Sequence, residues 1–141
     1  MKVKLHHTHP EADDIRTFFF EKPENFRYVA GQFIELHLPH DNPDERGQKH
    51  WFTLSSAPTQ PLLSITTRYF GDKGSSFKRT LFSLEPGATV EMSEPMGDFV
   101  LPKDSSIALV FVAGGIGVTP FHSIIQWLSD SGEQHQIQML Y

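Results

Sequence analysis

A small antiparallel barrel or sandwich followed by one β–α–β unit is the fold class that this 141-residue sequence predicts. Three observations carry it. Residues 1 to about 100 break into short apolar or alternating runs separated by turn residues, the texture of antiparallel structure. From Ile107 the texture changes to an unbroken apolar run, Ile107 to Val112, as expected of a parallel strand buried on both faces. A glycine-rich turn then opens a helix, and a last apolar run, Ile137 to Tyr141, follows it.

The elements follow in order. Val3 to Thr8 predicts a weak opening strand and Ile15 to Glu21 a strongly apolar second one. Phe33 to Leu38 sets Ile34, Leu36 and Leu38 against Phe33, Glu35 and His37, the period of a half-buried strand. His40 to Lys49, with Asn42-Pro43-Asp44 and Gly47, predicts a surface loop. Trp51 to Ser55 and Leu62 to Arg68 are the next strands. Ser75 to Phe82 predicts a short helix with Ser75 or Ser76 as its N-cap. Thr89 to Ser93 is a strand entered through Glu85-Pro86-Gly87-Ala88. Phe121 to Leu128 is a helix with Pro120 at its start. The boundary between the units is placed near Pro102 to Ser106, giving residues 1–103 and 104–141.

Composition excludes several classes. Net charge is −5 with no basic patch, which argues against a nucleic-acid partner. Absence of cysteine excludes disulfides, thiolate nucleophiles and a cysteine-held iron–sulfur cluster within the chain, and fits a cytoplasmic setting. The N-terminus lacks the apolar core of a signal peptide, and no apolar run approaches the roughly 20 residues of a membrane-spanning helix. His7 and His9 share a strand face with no third ligand evident, so no metal is expected. Glu11, Asp13 and Asp14 read as a solvated turn.

The chemistry-bearing stretch is Ala113-Gly114-Gly115-Ile116-Gly117-Val118-Thr119-Pro120. A buried strand running into such a turn and then a helix leaves backbone N–H groups and the positive end of a helix dipole facing an anionic ligand such as a pyrophosphate. The sequence ends one strand later, so much of the domain that completes such a site is expected to be absent.

Five ordered segments resemble the ferredoxin–NADP reductase-like flavoproteins. Ala30-Gly31-Gln32-Phe33 is similar to the family's Pro-Gly-Gln-Tyr strand. Trp51-Phe52-Thr53-Leu54-Ser55-Ser56-Ala57-Pro58 is similar to its Arg-x-Tyr-Ser flavin motif and tail. Gly74-Ser75-Ser76-Phe77 resembles the turn under the flavin pyrophosphate, and Pro95-Met96-Gly97-Asp98-Phe99 the turn that closes the barrel. The fifth is the glycine-rich turn. The resemblance implies a six-stranded antiparallel FAD-binding barrel followed by a Rossmann-like NAD(P)H-binding domain. It implies hydride transfer from NADH or NADPH to FAD, and electrons then passed to a small redox protein, a free flavin or a small molecule.

It also implies roles by position. Phe52 replaces the tyrosine that lies against the flavin and keeps the flat apolar face that stacking needs. Thr53 supplies a hydroxyl to flavin N5, and Thr119 sits where nicotinamide approaches; these two are the candidate catalytic residues. Candidate cofactor-binding residues are His50, Trp51, Phe52, Thr53, Thr66, Thr67, Arg68, Gly74, Ser75, Ser76, Gly114, Gly115, Ile116, Gly117, Thr119 and Pro120. His50 departs from the family, which carries arginine there. A guanidinium is always charged and forked, whereas a neutral imidazole offers one donor. FAD affinity is therefore expected to rise below about pH 6.5. The open edge of a two-stranded parallel sheet suggests a homodimer through Ile137 to Tyr141. A non-catalytic flavin- or partner-binding module, or a fragment without independent activity, are the alternatives. His50→Arg is expected to tighten FAD binding; equal dissociation constants for both proteins would count against the assignment.

Overall fold

The computed structural model describes residues 1–141. Its strands are β1 (Lys2–Ala12), β2 (Ile15–Glu21), β3 (Phe33–His37), β4 (Lys49–Thr53), β5 (Leu62–Arg68), β6 (Thr89–Met92), β7 (Leu109–Val112) and β8 (Ile137–Leu140). Helix α1 (Ser76–Phe82) lies between β5 and β6, and α2 (Thr119–Ser131) between β7 and β8. Six strands form one antiparallel sheet in the order β4-β3-β6-β1-β2-β5. β7 and β8 pair in parallel as a separate two-stranded sheet. No helix is long and apolar enough to cross a membrane.

The six-stranded sheet curls until its two end strands meet just past the end of β4. Ser55 N–H donates to the Ser64 carbonyl at 2.7 Å, and Ser64 N–H donates to Ser56 Oγ at 2.9 Å. These bonds tie the tail of β4 to β5 and give the sheet its barrel form. Seventeen buried residues fill the inside, among them Phe18 and Phe20 of β2, Ile34 and Leu36 of β3, and Leu63 and Ile65 of β5. α1 adds Phe77 and Leu81 to the same core. Arg16 Nη1 donates to the Phe82 carbonyl at 3.0 Å, which fixes the far end of α1 to β2.

Strands β2 and β5 have the bounds that their β-branched and aromatic runs predict. β1 is longer than expected, running through the polar segment to Ala12, because β2 supplies it a partner along that length. Its second half shows no apolar alternation, since backbone pairing rather than burial holds it there.

β7 differs from the expectation of burial on both faces. Phe111 is buried, but Val110 and Val112 are 60% and 69% exposed. α2 covers one face of the small sheet, packing Phe121 and Ile124 against Phe111 and Ala30, and nothing within the chain covers the other.

Phe18→Ala is expected to cost about 3–5 kcal/mol, because a fully buried ring in a closed barrel leaves a cavity that cannot collapse. Urea denaturation tests this, and an unchanged midpoint would contradict the packing described.

Candidate functional site

The site forms where α2 is fastened to the barrel. β4 ends at Thr53, and the chain turns outward through Ser55 and Ser56, exposing their carbonyls to α2. Ser123 Oγ donates to the Ser56 carbonyl at 2.6 Å, and Tyr28 Oη donates to the same oxygen at 2.9 Å. His122 Nδ1–H donates to the Ser55 carbonyl at 2.8 Å. Farther along α2, Asp130 accepts from Thr59 Oγ1 and, at 3.0 Å, from Gln60 Nε2. The Thr59 bond first, then one from Gln126 Nε2 at 2.7 Å and the Gln60 bond, hold its carboxyl below the usual range.

That fastening leaves a cleft of about 570 Å³ between the barrel and the glycine-rich turn. Gly115, Ile116, Val118, Thr119 and His122 line one wall; Thr17, Ser55, Ser64, Thr66 and Arg68 line the other. The turn forms a 3-10 stretch from Gly115 to Val118 that runs directly into α2. Gly115 has φ +53°, a left-handed conformation that suits glycine. A Cβ at Gly114 or Gly117 meets nothing within 4 Å, so packing within the chain does not explain those two glycines. Neither of them lines the cleft, and Gly117 N–H donates to the Gly114 carbonyl at 3.1 Å; of the three glycines only Gly115 faces it.

The polar lining is uneven. Thr17 Oγ1 donates to Glu11 Oε1 at 2.7 Å and lies 2.9 Å from Thr66 Oγ1. That first bond is the main cause holding the Glu11 carboxyl below its ordinary range. Arg68 Nε is 3.0 Å from Asp14 Oδ2. Glu11 and Asp14, expected in a merely solvated turn, therefore organise this wall. Ser55 Oγ is buried without any hydrogen-bond partner. A buried hydroxyl left unpaired is costly, which marks the position as one that a ligand can satisfy.

The remaining expected site residues divide by strand face. On β4, Phe52 and His50 turn toward α1: the His50 ring stacks on Phe77 at 4.4 Å between centroids, and Phe52 stands 5.9 Å from Phe77. Trp51 points the other way, 71% exposed, with Nε1–H donating to Glu35 Oε2 at 3.1 Å. Thr53 shares the Trp51 side of the strand, opposite Phe33, and does not line the cleft that holds Thr119. On β5, Thr66 faces the cleft while Thr67 is buried on the other face. Pro120 occupies the first turn of α2.

The turn Gly74-Ser75-Ser76 is already engaged. Gly74 is required there, since a Cβ would stand 2.2 Å from the Tyr69 ring. Ser75 Oγ caps α1 by accepting Lys78 N–H at 3.1 Å. Ser76 N–H donates to Asp44 Oδ2 at 2.8 Å, Asp44 N–H returns a bond to Ser76 Oγ at 2.9 Å, and His40 Nε2 lies 2.9 Å from the same hydroxyl. The segment expected as a plain surface loop thus closes over this turn. Asp44 is pushed down to about 2, first by the Ser76 N–H and then by Arg46. As it stands, the turn does not fit an added phosphate, because the chain's own carboxylate holds the donor.

His50 Nε2 is buried without a partner beside this cluster. Burial is the largest cause lowering the His50 pKa below its ordinary 6.5, followed by the Lys78 charge; Asp44 opposes and Arg46 assists. The fold therefore disfavours the charged form of His50, against the expectation that a protonated imidazole serves an anion there. The candidate list drawn from the sequence missed Ser55, which lies in the tail of the Trp51–Pro58 motif without a role of its own, and His122 and Asp44, since a histidine on a helix and an aspartate in a polar loop carry no motif.

No protein-family model matches the chain. A stachydrine N-demethylase reductase subunit of Rhizobium meliloti is 30% identical over 131 residues, covering 91% of this chain and 36% of that protein. Ferredoxin–NADP reductase B of Sorangium cellulosum is 31% identical over 144 residues, covering 99% and 57%. The flavohaem-like FAD/NAD-binding domain of a nitric oxide dioxygenase from Vibrio cholerae superposes with a TM-score of 0.82 at 20% identity, covering 99% of this chain and 61% of that one. The chain thus spans between about a third and three-fifths of the proteins it matches.

Because the folded pKa of His50 is depressed, the unfolded chain takes up its proton first, at about pH 6.5. Stability contributed by neutral His50 is full above that value and falls as pH drops through it toward the folded pKa. His50→Gln is expected to flatten this slope. Urea midpoints at about pH 7.5 and 5.5 compare the two proteins, and parallel slopes would remove His50 as the cause.

Proposed function

We propose that this chain, whose homologues and structural neighbours are ferredoxin–NADP reductase-like FAD-binding reductase domains, is the flavin-binding barrel and first nucleotide-binding β–α–β unit of an NAD(P)H-dependent flavoprotein oxidoreductase. Residues 1–103 form the barrel unit and 104–141 the start of the nucleotide unit. The observation that carries the reading is the cleft wall formed by Gly115, Ile116, Val118 and Thr119, with the unpaired Ser55 hydroxyl on the opposite wall.

Bound FAD supplies the hydride-accepting ring, which no side chain of this protein can provide. The chain's own residues bind and orient. Backbone N–H groups at Gly115 and Ile116, where the turn lines the cleft, would hold the nucleotide's anionic part. Thr119 and Ser55 present hydroxyls from opposite walls, and a hydroxyl both donates and accepts. His122 has donated Nδ1–H to the Ser55 carbonyl, so its neutral form leaves Nε2 as an acceptor at the same cleft. Thr53 remains the candidate for the flavin side by its place in the motif. The acceptor is a partner protein or small molecule outside this chain, and the β8 edge is the surface proposed for a homodimer.

Purified protein titrated with FAD is expected to take up the flavin, with a perturbed visible spectrum that bleaches on anaerobic addition of NADH or NADPH. A bound flavin that never bleaches points to a non-catalytic flavin-binding module. Failure to take up any flavin overturns the reading.

A further inference from the structure

A second cavity, of about 510 Å³, opens at the seam between the barrel and the β7–α2–β8 unit and shares no lining residue with the cleft. Pockets that hold small organic ligands run to roughly 300–1,000 Å³. The barrel supplies Tyr28 and Pro58, and the joining segment supplies Leu101 and Lys103. The end of α2 and the turn into β8 supply Trp127, Glu133 and His135. The Trp127 indole, the Pro58 ring and Leu101 give the cavity an apolar body. Tyr28 contributes only its ring, because Oη is engaged by the Ser56 carbonyl. The rim carries two opposite charges that the chain does not use. Lys103 and Glu133 are both exposed, and neither belongs to any of the chain's ion pairs. Lys22, whose ammonium lies over the Tyr28 ring, is already committed, donating Nζ to the Pro58 carbonyl at 2.6 Å and to the Gln60 carbonyl at 3.3 Å. His135 adds an imidazole whose Nδ1 is buried without a hydrogen-bond partner. Buried polar atoms left unmet are uncommon. A bare ring nitrogen costs less to leave unpaired than an N–H, so the proton is assigned to Nε2, and the ring offers a donor to the cavity it lines.

We propose that this seam cavity binds a free α-amino acid with an apolar side chain. The side chain lies against Trp127 and Leu101, the carboxylate meets Lys103 and the His135 donor, and the ammonium meets Glu133. A zwitterion is the ligand that uses both rim charges at once. A plain anion leaves Glu133 facing a like charge, and a plain cation does the same to Lys103. The apolar body supplies the burial, and the two charges supply the choice of ligand. The lining comes from both structural units, and the β7–α2–β8 unit has only four buried residues in its own cluster, one of them borrowed from the barrel segment. A bound amino acid therefore fastens that unit to the barrel at a second place, away from the Ser55 and Ser56 carbonyls, and stabilises the folded chain by mass action.

The experiment titrates the purified chain with L-phenylalanine and follows Trp127 emission, since Trp51, the other of the two tryptophans, does not line the cavity. Phenethylamine, which lacks the carboxylate, and 3-phenylpropionate, which lacks the ammonium, remove one charge each. L-Phenylalanine is expected to bind with a Kd of about 1 mM or below. Each charge deletion is expected to weaken binding roughly three- to tenfold. Lys103→Gln is expected to shrink the gap between phenylalanine and phenethylamine and to keep the gap to 3-phenylpropionate. Glu133→Gln is expected to do the reverse. Both positions are exposed, and circular dichroism checks that both variants fold. Saturating phenylalanine is expected to raise the urea midpoint, and calorimetric titration with FAD present is expected to return the same Kd. Absence of binding up to about 10 mM overturns the proposal. Equal affinity for all three compounds, or variants that shift all three alike, also overturns it, because the rim charges then select nothing. A Kd raised by FAD places the amino acid in the cleft instead and overturns the seam assignment, as does an unchanged midpoint at saturation.

Discussion

Two consecutive backbone carbonyls, those of Ser55 and Ser56, determine most of this molecule. The amide of Ser55 closes the barrel onto β5, while its carbonyl receives the His122 ring. The Ser56 carbonyl receives two hydroxyls at once, Tyr28 from the barrel side and Ser123 from α2. A carbonyl has two lone pairs, and both are used here, one by each structural unit. The same residues that join β4 to β5 therefore fix where α2 lies, and with it the glycine turn and the cleft. A chain in which β4 ended one residue later would turn these carbonyls to the other face and lose the clamp, since successive strand residues point oppositely.

The clamp matters because the β7–α2–β8 unit has little core of its own. Its cluster contains four buried residues, and one of them, Ala30, belongs to the barrel segment. One face of β7 carries the exposed Val110 and Val112. A two-stranded parallel sheet with a single covering helix buries too little apolar surface to stand alone. Its order is borrowed from the barrel through Ser123, His122 and Asp130, whose hydrogen bonds fall at both ends of the helix. The groups of α2 that line the cleft are consequently positioned by a rigid scaffold rather than by the turn itself, which is short, glycine-rich and exposed.

The sequence made the barrel legible wherever burial and strand period coincide. Ile34, Leu36 and Leu38 alternate and are buried, and β2 and β5 follow their apolar runs. The glycine turn was legible because three glycines before a proline-led helix have few other uses. It failed where backbone pairing replaces burial, as in the polar half of β1, and where a face lacks a covering layer, as in β7. It failed again where the structure rests on contacts remote in sequence: Asp44 and Ser76 lie 32 residues apart, and His122 and Ser55 lie 67 apart. Ser55 shows the same limit in another way, since an unpaired hydroxyl is a property of its surroundings, not of its residue type.

The histidine at position 50 of β4 has a physical setting that composition alone could not supply. Stacked on Phe77 and close to Lys78, position 50 sits in an environment that already penalises positive charge, as the lowered histidine pKa records. A permanent guanidinium fixed on that strand would meet the same burial and the same Lys78 charge, which a neutral imidazole escapes. Arg46 instead meets a carboxylate two residues away in sequence, and the Ser76 amide is satisfied by the same oxygen. The return bond from Asp44 N–H to Ser76 Oγ makes the loop and the start of α1 a closed set of mutual partners, so this end of the barrel is held by the segment from Leu38 to Gln48 as much as by the sheet that carries it.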